Sequence, residues 1–323
     1  MENVMKKKFS GSLWPVLALG AVFAVLPFVL PYTALAMEIM LFSLAAVAFD
    51  LCVGYTGVMM FCQASFFGMG VYVTALSTIH LTNNIFLAIF IGVAASTVLA
   101  LLIGFMISSR SGSYSVLLSL AFNELIYFIA YQWTSVTGGD DGLTGVHRPD
   151  IHLGSFEINL QSADRYYYFV LIFFILSFWI IRRVTHSPLG KVLQSIRENE
   201  ERAKAIGYNT RLYKTITVMI GGMFMGLAGS LYSLYIQFAH IHNVHFETSG
   251  NIVMMVLVGG MGTLFGPVVG SFLIVTASDL ASSIWDRWML VMGVLFIFFV
   301  LFARGGIWSL LEKGYGYVRP AKK

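Results

Sequence analysis

Two carboxylates inside apolar runs are the first residues of this sequence whose position suggests chemistry. Asp50 ends one apolar run, and Glu124 follows Asn123 near the middle of another, between residues 113 and 133. An ionised carboxylate that faces lipid is costly, so both acids are expected to face a helix interface or an aqueous path. There a carboxylate contacts either a cationic group of a substrate, such as an ammonium, or a donor on a neighbouring helix.

A series of glycines at four-residue spacing, Gly262, Gly266 and Gly270, is the second candidate. Small residues at this spacing let helices approach closely in a bilayer, and the earlier series at 222–229 predicts such packing. Pro267 interrupts the later series and is expected to break its helix, as is typical of segments that line a substrate path. The later series is therefore either a packing seam or part of a translocation path.

The longest charged segment, residues 182–214, lies between two apolar runs. Ser187 and Pro188 are typical of a helix start, and apolar residues at helical spacing are interleaved with charges over Lys191–Ile206. Gly207 follows as a stop signal, so we predict one helix here. Its length exceeds what a connection needs, which favours a docking element for a partner protein over a simple connector.

Signatures of soluble enzymes are absent from the sequence. It contains no Gly-x-x-x-x-Gly-Lys-Ser/Thr loop for ATP, no His-Glu-x-x-His and no Gly-x-Ser-x-Gly. His240, His242 and His245 form a short run, but no cysteine or carboxylate cluster is expected to complete a metal site. Cys52 and Cys62 stand in apolar surroundings, typical of small core residues. We expect no catalytic residue, no cofactor and no metal.

Composition decides which elements must hold these residues. Of 323 residues, 11% are charged and 58% are hydrophobic. Soluble domains carry about 25% charged residues, and a soluble chain has too little polar surface to cover this much apolar area. The same figures exclude disordered, collagen-like, coiled-coil and disulfide-rich secreted chains. The predicted fold class is an all-α polytopic membrane protein.

Apolar runs of spanning length predict about eight to ten transmembrane helices, with glycine-broken or re-entrant pieces near residues 54–70 and 259–270. Of the 20 Lys and Arg residues, 17 lie in segments that the positive-inside tendency places in the cytoplasm. Both termini are therefore expected to be cytoplasmic. The predicted organisation is a cytoplasmic tail (1–12), a transmembrane domain (13–303) with an extracytoplasmic loop (134–165) and a cytoplasmic loop (182–214), and a cytoplasmic tail (304–323).

Four stretches of the sequence together resemble the LivM-type permeases of branched-chain amino acid ABC transporters. Each stretch is weak evidence alone, whereas all four in this order and spacing are specific, and the resemblance covers roughly residues 42–310. The stretches are Gly54-Tyr55-Thr56-Gly57 leading to Ala64–Tyr72, the outside Thr137–Gly145, Ser187–Gly207, and Val258-Gly259-Gly260-Met261-Gly262-Thr263-Leu264-Phe265-Gly266-Pro267.

The resemblance implies a permease subunit in a bacterial or archaeal cytoplasmic membrane. Its implied partners are a second, LivH-like permease, two cytoplasmic ATPase subunits, and a periplasmic or surface-tethered protein that delivers Leu, Ile or Val. In such importers a cytoplasmic loop with a Glu-Ala-Ala…Gly pattern docks on the ATPase, and Arg202 replaces the middle alanine here. The coupling candidates are Arg197, Glu198, Glu201, Ala203 and Gly207, and the path candidates are Gly57, Asn123, Glu124, Gly262, Gly266 and Pro267.

Two groups of alternatives stay open at this stage. After Gly57 the chain carries bulky residues where the family usually has small or polar ones, which suits an apolar cargo. This departure also leaves open a relative that moves urea, amides or other amino acids. An ion-coupled secondary transporter would use Glu124 or Asp50 as its coupling acid, and a channel or membrane scaffold would not need the long cytoplasmic helix.

Overall fold

The chain is described here in a computed structural model, for residues 14–109, 112–153, 156–285, 287–302 and 306–308. The predicted tails, 1–12 and 304–323 apart from 306–308, lie outside these residues. Regular structure is almost entirely helical, which confirms the all-α class. The longer helices are α1 (Trp14–Val29), α2 (Thr33–Asp50), α3 (Gln63–Leu76), α4 (Ile85–Ile107), α5 (Ser113–Gln132), α6 (Ala163–His186), α7 (Pro188–Glu198), α8 (Glu200–Ala205), α9 (Thr210–Ile236), α10 (Phe246–Gly259), α11 (Gly266–Ile284) and α12 (Trp288–Phe302).

Seven of the described helices are long and apolar enough to cross a bilayer, which confirms a polytopic membrane protein. They are α2 and α3, each extended by a π-helical turn to Tyr55 and Leu81, together with α4, α5, α6, α9 and α11. Helices α1 and α10 are apolar but shorter, with 16 and 14 residues. The expected eight to ten crossings therefore require contributions from shorter helices, and the orientation of the termini stays a prediction.

Helix α9 packs tightly against α3 and α4 because glycines leave room for neighbouring backbone. The backbone of Gly226 occupies the place that a Cβ on Gly70 would take. The carbonyl of Phe67 occupies the place that a Cβ on Gly229 would take. Only glycine allows helices to approach this closely. The close packing predicted for the glycine series at 222–229 is confirmed. The cysteines, Cys52 and Cys62, are buried and free, as expected.

The loop between α5 and α6 is anchored to the end of α9 by Arg148, which is buried. Its guanidinium donates hydrogen bonds to the carbonyl oxygens of Leu234 (2.9 Å), Tyr235 (3.0 Å) and Leu160 (2.9 Å). The last carbonyls of a helix lack intrahelical partners, so Arg148 satisfies acceptors that would otherwise be unpaired. The loop also contains a helical turn (Thr134–Thr137), a 3₁₀ turn (Gly139–Asp141) and the antiparallel strands β1 (Ile151–Leu153) and β2 (Phe156–Ile158).

The charged segment folds as two helices, so the prediction of one helix over Lys191–Ile206 is wrong. Helix α7 begins as predicted, since the Ser187 hydroxyl accepts a hydrogen bond from the Gly190 N–H (3.4 Å). Asn199 then interrupts the helix because its backbone is extended, with φ −160° and ψ 102°. Its side chain accepts from the Arg202 N–H (2.9 Å) and thereby caps α8.

Fusions of a reporter at Asp141 and at Lys204 are expected to report opposite sides of the membrane, with Lys204 cytoplasmic. The two sites lie at opposite ends of α9, whose 27 residues span about 40 Å at 1.5 Å per residue. Leu143, near Asp141, pairs with Ala239 just after α9, whereas Lys204 lies beside Glu200 near the start of α9. Reporters on the same side would contradict this arrangement of spans.

Candidate functional site

Arg197 joins the charged segment to the membrane helices. Helix α7 buries Leu193 and Ile196 against the rest of the chain, and this packing places Arg197 beneath the end of α2. There its Nη1 donates a hydrogen bond to the carbonyl oxygen of Gly54, in the π-helical turn that extends α2. Arg197, a residue of the charged segment, thus forms a hydrogen bond with the backbone of a membrane-spanning element.

Asp50 connects the same turn to the glycine-broken stretch after α10. It is 1% exposed, and its Oδ1 accepts a hydrogen bond from the Gly262 N–H at 2.8 Å. Gly262 has a φ of +76°, and a Cβ there would lie 2.6 Å from Nη1 of Arg197. Gly57 also has a positive φ (+76°), and its Cβ would lie 3.3 Å from Cγ of Arg197. The structure therefore brings one coupling candidate and two path candidates together.

A cavity of about 420 Å³ opens beside Arg197, between the charged segment and the bundle. Its wall combines basic and acidic side chains with backbone from the α4–α5 connection, so its chemical character is mixed. Any movement of α7 relative to α4 and α5 would change its shape. The lining residues include Thr56, Gly57, Val58, Met59, Ser108, Ser113, Ser115, Arg197, Glu198, Glu200 and Lys214.

Glu200 ties α8 to the start of α9. Its Oε2 lies 2.5 Å from Nζ of Lys214, which is largely buried, and its Oε1 accepts from the Thr210 hydroxyl at 3.1 Å. Partial burial raises the pKa of Glu200, but the hydrogen bond and the charge of Lys214 outweigh it, with Thr210 and Lys204 helping, and the pKa falls below its ordinary value. The carboxylate is therefore ionised near neutral pH, and α8 and α9 are linked by a charge pair.

The other coupling candidates lie on an accessible part of the charged segment. The Glu201 side chain is 83% exposed, although its Oε1 contacts Lys204 Nζ at 2.9 Å, and Glu198 is also exposed. Ala203 is buried and holds α8 in place, whereas Gly207 has a φ of +96° with open space around it. The segment thus combines an anchored inner face with an exposed outer face that carries charges of both signs.

Asn123 fixes the start of α10 deep inside the bundle. Its Oδ1 accepts from the Ser65 hydroxyl at 3.0 Å and from that of Ser249 at 3.5 Å, and its Nδ2 donates to the Val244 carbonyl at 3.2 Å. Because Asn123 lies near the middle of α5, α10 starts about half-way along the neighbouring spans. Helix α10 is therefore a half-length helix of the kind expected around a glycine-broken stretch.

Glu124, adjacent in sequence, is not part of this network. Successive residues of an α-helix point about 100° apart, and Glu124 is exposed on the outside of the chain whereas Asn123 is buried. The structure therefore separates the two path candidates. A carboxylate at this depth needs a protein or aqueous neighbour, and this chain by itself leaves that side of α5 uncovered.

Gly266 and Pro267 form the first turn of α11, after the chain has reversed between Gly259 and Gly266. The Gly266 N–H donates to the Thr263 hydroxyl at 3.1 Å, which satisfies a backbone donor of the first turn. Proline is compatible with this position, because the first N–H groups of a helix have no intrahelical acceptor. The expectation that Pro267 breaks a helix is therefore wrong, since the interruption precedes it.

Sequence reasoning missed two participants in these contacts and one carboxylate beside the histidine run. In the sequence Lys214 is one of the 17 orienting charges, and no spacing rule indicates that it pairs with Glu200 fourteen residues earlier. Gly54 was recognised only as part of a motif, whereas its carbonyl oxygen is the acceptor for Arg197. Glu247 follows His245 by two residues, so its proximity to the histidine run was a signal that could have been read.

Spanning helices surround a half-length helix, and a charged segment is bound to a glycine-broken turn, so the structure is that of a polytopic membrane protein. The family "Branched-chain amino acid transport system / permease component" matches residues 32–300, and the chain belongs to this family. It is a multi-pass permease of branched-chain amino acid transport. No solved structure gives a significant match.

Curated relatives carry the same description. The high-affinity branched-chain amino acid transport system permease proteins LivM of Escherichia coli (strain K12) and Salmonella typhimurium are each 23% identical over 287 residues, covering 83% of this chain and 68% of the relative. A probable branched-chain amino acid transport permease protein LivM of Methanocaldococcus jannaschii is 29% identical over 157 residues, covering 47% of this chain and 43% of the relative.

Proposed function

We propose that this chain is one of two permease subunits of an ABC importer that moves Leu, Ile and Val across a bacterial or archaeal cytoplasmic membrane. The observation that carries the proposal is the contact of Arg197 with Gly54 and Gly262, because it joins a cytoplasmic segment to a glycine-broken membrane segment. The chain has no phosphate-binding loop of its own. Two cytoplasmic ATPase partners would therefore supply the energy.

The charged segment is the proposed contact with the ATPase. Helices α7 and α8 form one unit on the bundle, since α7 packs through Leu193 and Ile196 and α8 is held by Glu200 and Lys214. Their exposed side carries Glu201, whose solvent-exposed pairing with Lys204 can be exchanged for a cationic partner surface. ATP-driven closure of the ATPases would displace this unit as a rigid body.

Arg197 is the proposed point at which this displacement enters the membrane domain. When α7 moves, its hydrogen bond pulls on the turn after α2, and the Asp50–Gly262 hydrogen bond extends the connection to the loop between α10 and α11. The glycines at 259–262 let this loop change its backbone angles at low cost. The half-helix α10 would then shift, and access to the path would alternate between the two sides.

The path itself is proposed to run past the start of α10 and along the uncovered side of α5. Asn123 holds the first of these elements in place, and Glu124 lies on the second. A second permease subunit covering α5 would give the Glu124 carboxylate the protein or aqueous neighbour that it needs. In the interior of the complex that carboxylate would contact the ammonium group of an amino acid.

Charge changes on the outer side of the charged segment test the docking role. We expect Glu201→Lys and Gly207→Asp to leave the protein in the membrane but to abolish both co-purification with the ATPase and amino acid uptake. A reversed or added charge at a docking surface leaves partner charges unpaired. Uptake and pull-down are measured on the same membranes.

Asp141→Lys is the matched control, because it makes the same charge change on an exposed loop at the other end of the bundle. It is expected to keep the ATPase bound. Normal ATPase association and uptake in both test variants would mean that the segment is only a connector. Uptake that needs an ion gradient but no ATPase would instead identify a secondary transporter.

A further inference from the structure

Three side chains that commonly bind metals meet where the 3₁₀ turn Ile241–Val244 leads into α10. His242, His245 and Glu247 each offer one ligand atom, and these atoms all lie within 4.8 Å of one another. The expectation that no carboxylate completes the histidine run is therefore wrong. The run ends at the start of a helix, and the first turn of that helix supplies the carboxylate.

Hydrogen bonds within the turn fix the spacing of these residues. The His242 carbonyl accepts from the His245 N–H at 3.1 Å and from the Thr248 hydroxyl at 2.8 Å. The His242 N–H in turn donates to Nδ1 of His240 at 3.0 Å. The backbone that carries the three side chains is thus ordered before any ligand binds, which lowers the entropic cost of binding.

The rings contact aromatic neighbours: that of His242 stacks on His240, and that of His245 meets Tyr127 edge-on, with centroids 5.2 Å apart in each pair. The Nδ1 atom of His245 accepts from the Glu247 N–H at 3.4 Å, which is long for a hydrogen bond, so the ring can be recruited at little cost. The rings of His242 and His245 have centroids 5.6 Å apart. His242 is exposed and the other two side chains are half-buried, so the cluster is accessible from the surface of this chain.

The donor set selects the kind of metal. Two imidazoles and one carboxylate suit Zn²⁺, whereas Ca²⁺ and Mg²⁺ prefer oxygen ligands alone. In a tetrahedral zinc site with bond lengths near 2.1 Å, ligand atoms lie about 3.4 Å apart. The three ligand atoms need to approach one another by up to about 1.4 Å to reach that spacing, which small side-chain rotations allow.

We propose that His242, His245 and Glu247 bind one Zn²⁺ ion at the start of α10, with solvent at the fourth position. The ion would join the 3₁₀ turn to the half-helix and stiffen the point where α10 begins. The turn follows Ala239, which pairs with Leu143 of the loop between α5 and α6. The turn is therefore reached from the predicted extracytoplasmic side, although α10 itself begins about half-way along the spans, so the ion would enter from outside the cell. The proposed path also runs past the start of α10, but metal binding is measured without transport, so the two proposals fail separately.

The test uses Co²⁺ as a spectroscopic stand-in for Zn²⁺ on the full-length chain, purified with its partner subunits and without an affinity tag. Tetrahedral Co²⁺ gives visible absorption bands, and added Zn²⁺ should remove them at one ion per site. We expect His242→Ala and Glu247→Gln to weaken metal binding at least about tenfold, as loss of a ligand does more harm than loss of a supporting residue.

His147→Ala is the matched control, because His147 is an exposed histidine in the extracytoplasmic loop that bonds to Asn83 at 2.9 Å. The His147→Ala variant should bind Co²⁺ with the same affinity as the unmodified protein. Thermal unfolding without metal shows whether each variant is folded. If His242→Ala is not folded, the metal affinity of the nearly isosteric Glu247→Gln decides whether the site exists. No saturable binding by the unmodified protein, or equal affinity in Glu247→Gln, overturns the proposal.

Discussion

Gly262→Val is expected to reduce amino acid uptake at least tenfold while protein abundance in the membrane stays within about twofold of normal. Gly262 has a φ of +76° and lies against the Arg197 guanidinium. A side chain in this conformation costs about 1–2 kcal/mol, and a branched one would also push Arg197 away from Gly54. The damage falls on the contact between the charged segment and the loop, not on the packed interior of the bundle.

Gly266 and Gly270 provide the contrast, because they lie in the tight seam between α10 and α11. The carbonyl of Met255 occupies the place that a Cβ on Gly270 would take. Backbone oxygens before α11 lie too close to the place of a Cβ on Gly266. Valine at either position has to push backbone apart, so abundance and uptake should fall in parallel. This divides a glycine series that the sequence left as one group.

Gly250→Val is the matched control, since Gly250 is in α10, has no positive φ and has open space around its missing Cβ. It should lose little of either quantity. Uptake and abundance are measured on the same membranes for all four variants. A loss of uptake in Gly262→Val that only tracks its abundance would remove Gly262 from the proposed pathway.

Much of the fold was predictable because the bilayer leaves few choices. Helices must satisfy their own backbone groups in lipid, so apolar runs of about 20 residues specify spans without any knowledge of their neighbours. The close packing of α9 was equally readable from the glycine series at 222–229. These features depend on local composition and periodicity alone.

What the sequence did not predict depends on contacts between distant residues. Arg197 and Gly54 are 143 positions apart, and Asp50 and Gly262 are 212 apart. No periodicity links such pairs. The sequence also does not predict the break at Asn199, because asparagine is tolerated inside helices. Only the capping of α8 by its side chain shows that a helix ends there.

The separation of Asn123 from Glu124 has the same origin. Both were expected to face an interface or a path, and the register of α5 on its neighbours decides which of them does so within this chain. A single sequence gives the helix but not its rotation when apolar residues surround it on every side. The outward position of Glu124 became visible only in the packed bundle.

Arg197→Ala is expected to reduce amino acid uptake by about tenfold or more, while the ATPase still co-purifies with the protein. A hydrogen bond that involves a charged group contributes about 1.5–3 kcal/mol, which corresponds to roughly tenfold to a hundredfold in an equilibrium. Its loss would free α7 from the turn at Gly54 without altering the exposed side of α8. Energy from ATP would then move the charged segment without moving the half-helix α10.

Two further variants separate transmission from docking. Arg197→Lys keeps the charge but lacks the planar guanidinium, so it should recover uptake only in part. Arg165→Ala removes the same charge from an exposed position at the start of α6, at the other end of the bundle, and should affect uptake far less than Arg197→Ala. ATPase pull-down and uptake are measured together on each variant. Loss of pull-down in Arg197→Ala would place this residue on the docking surface, and normal uptake would exclude it from coupling.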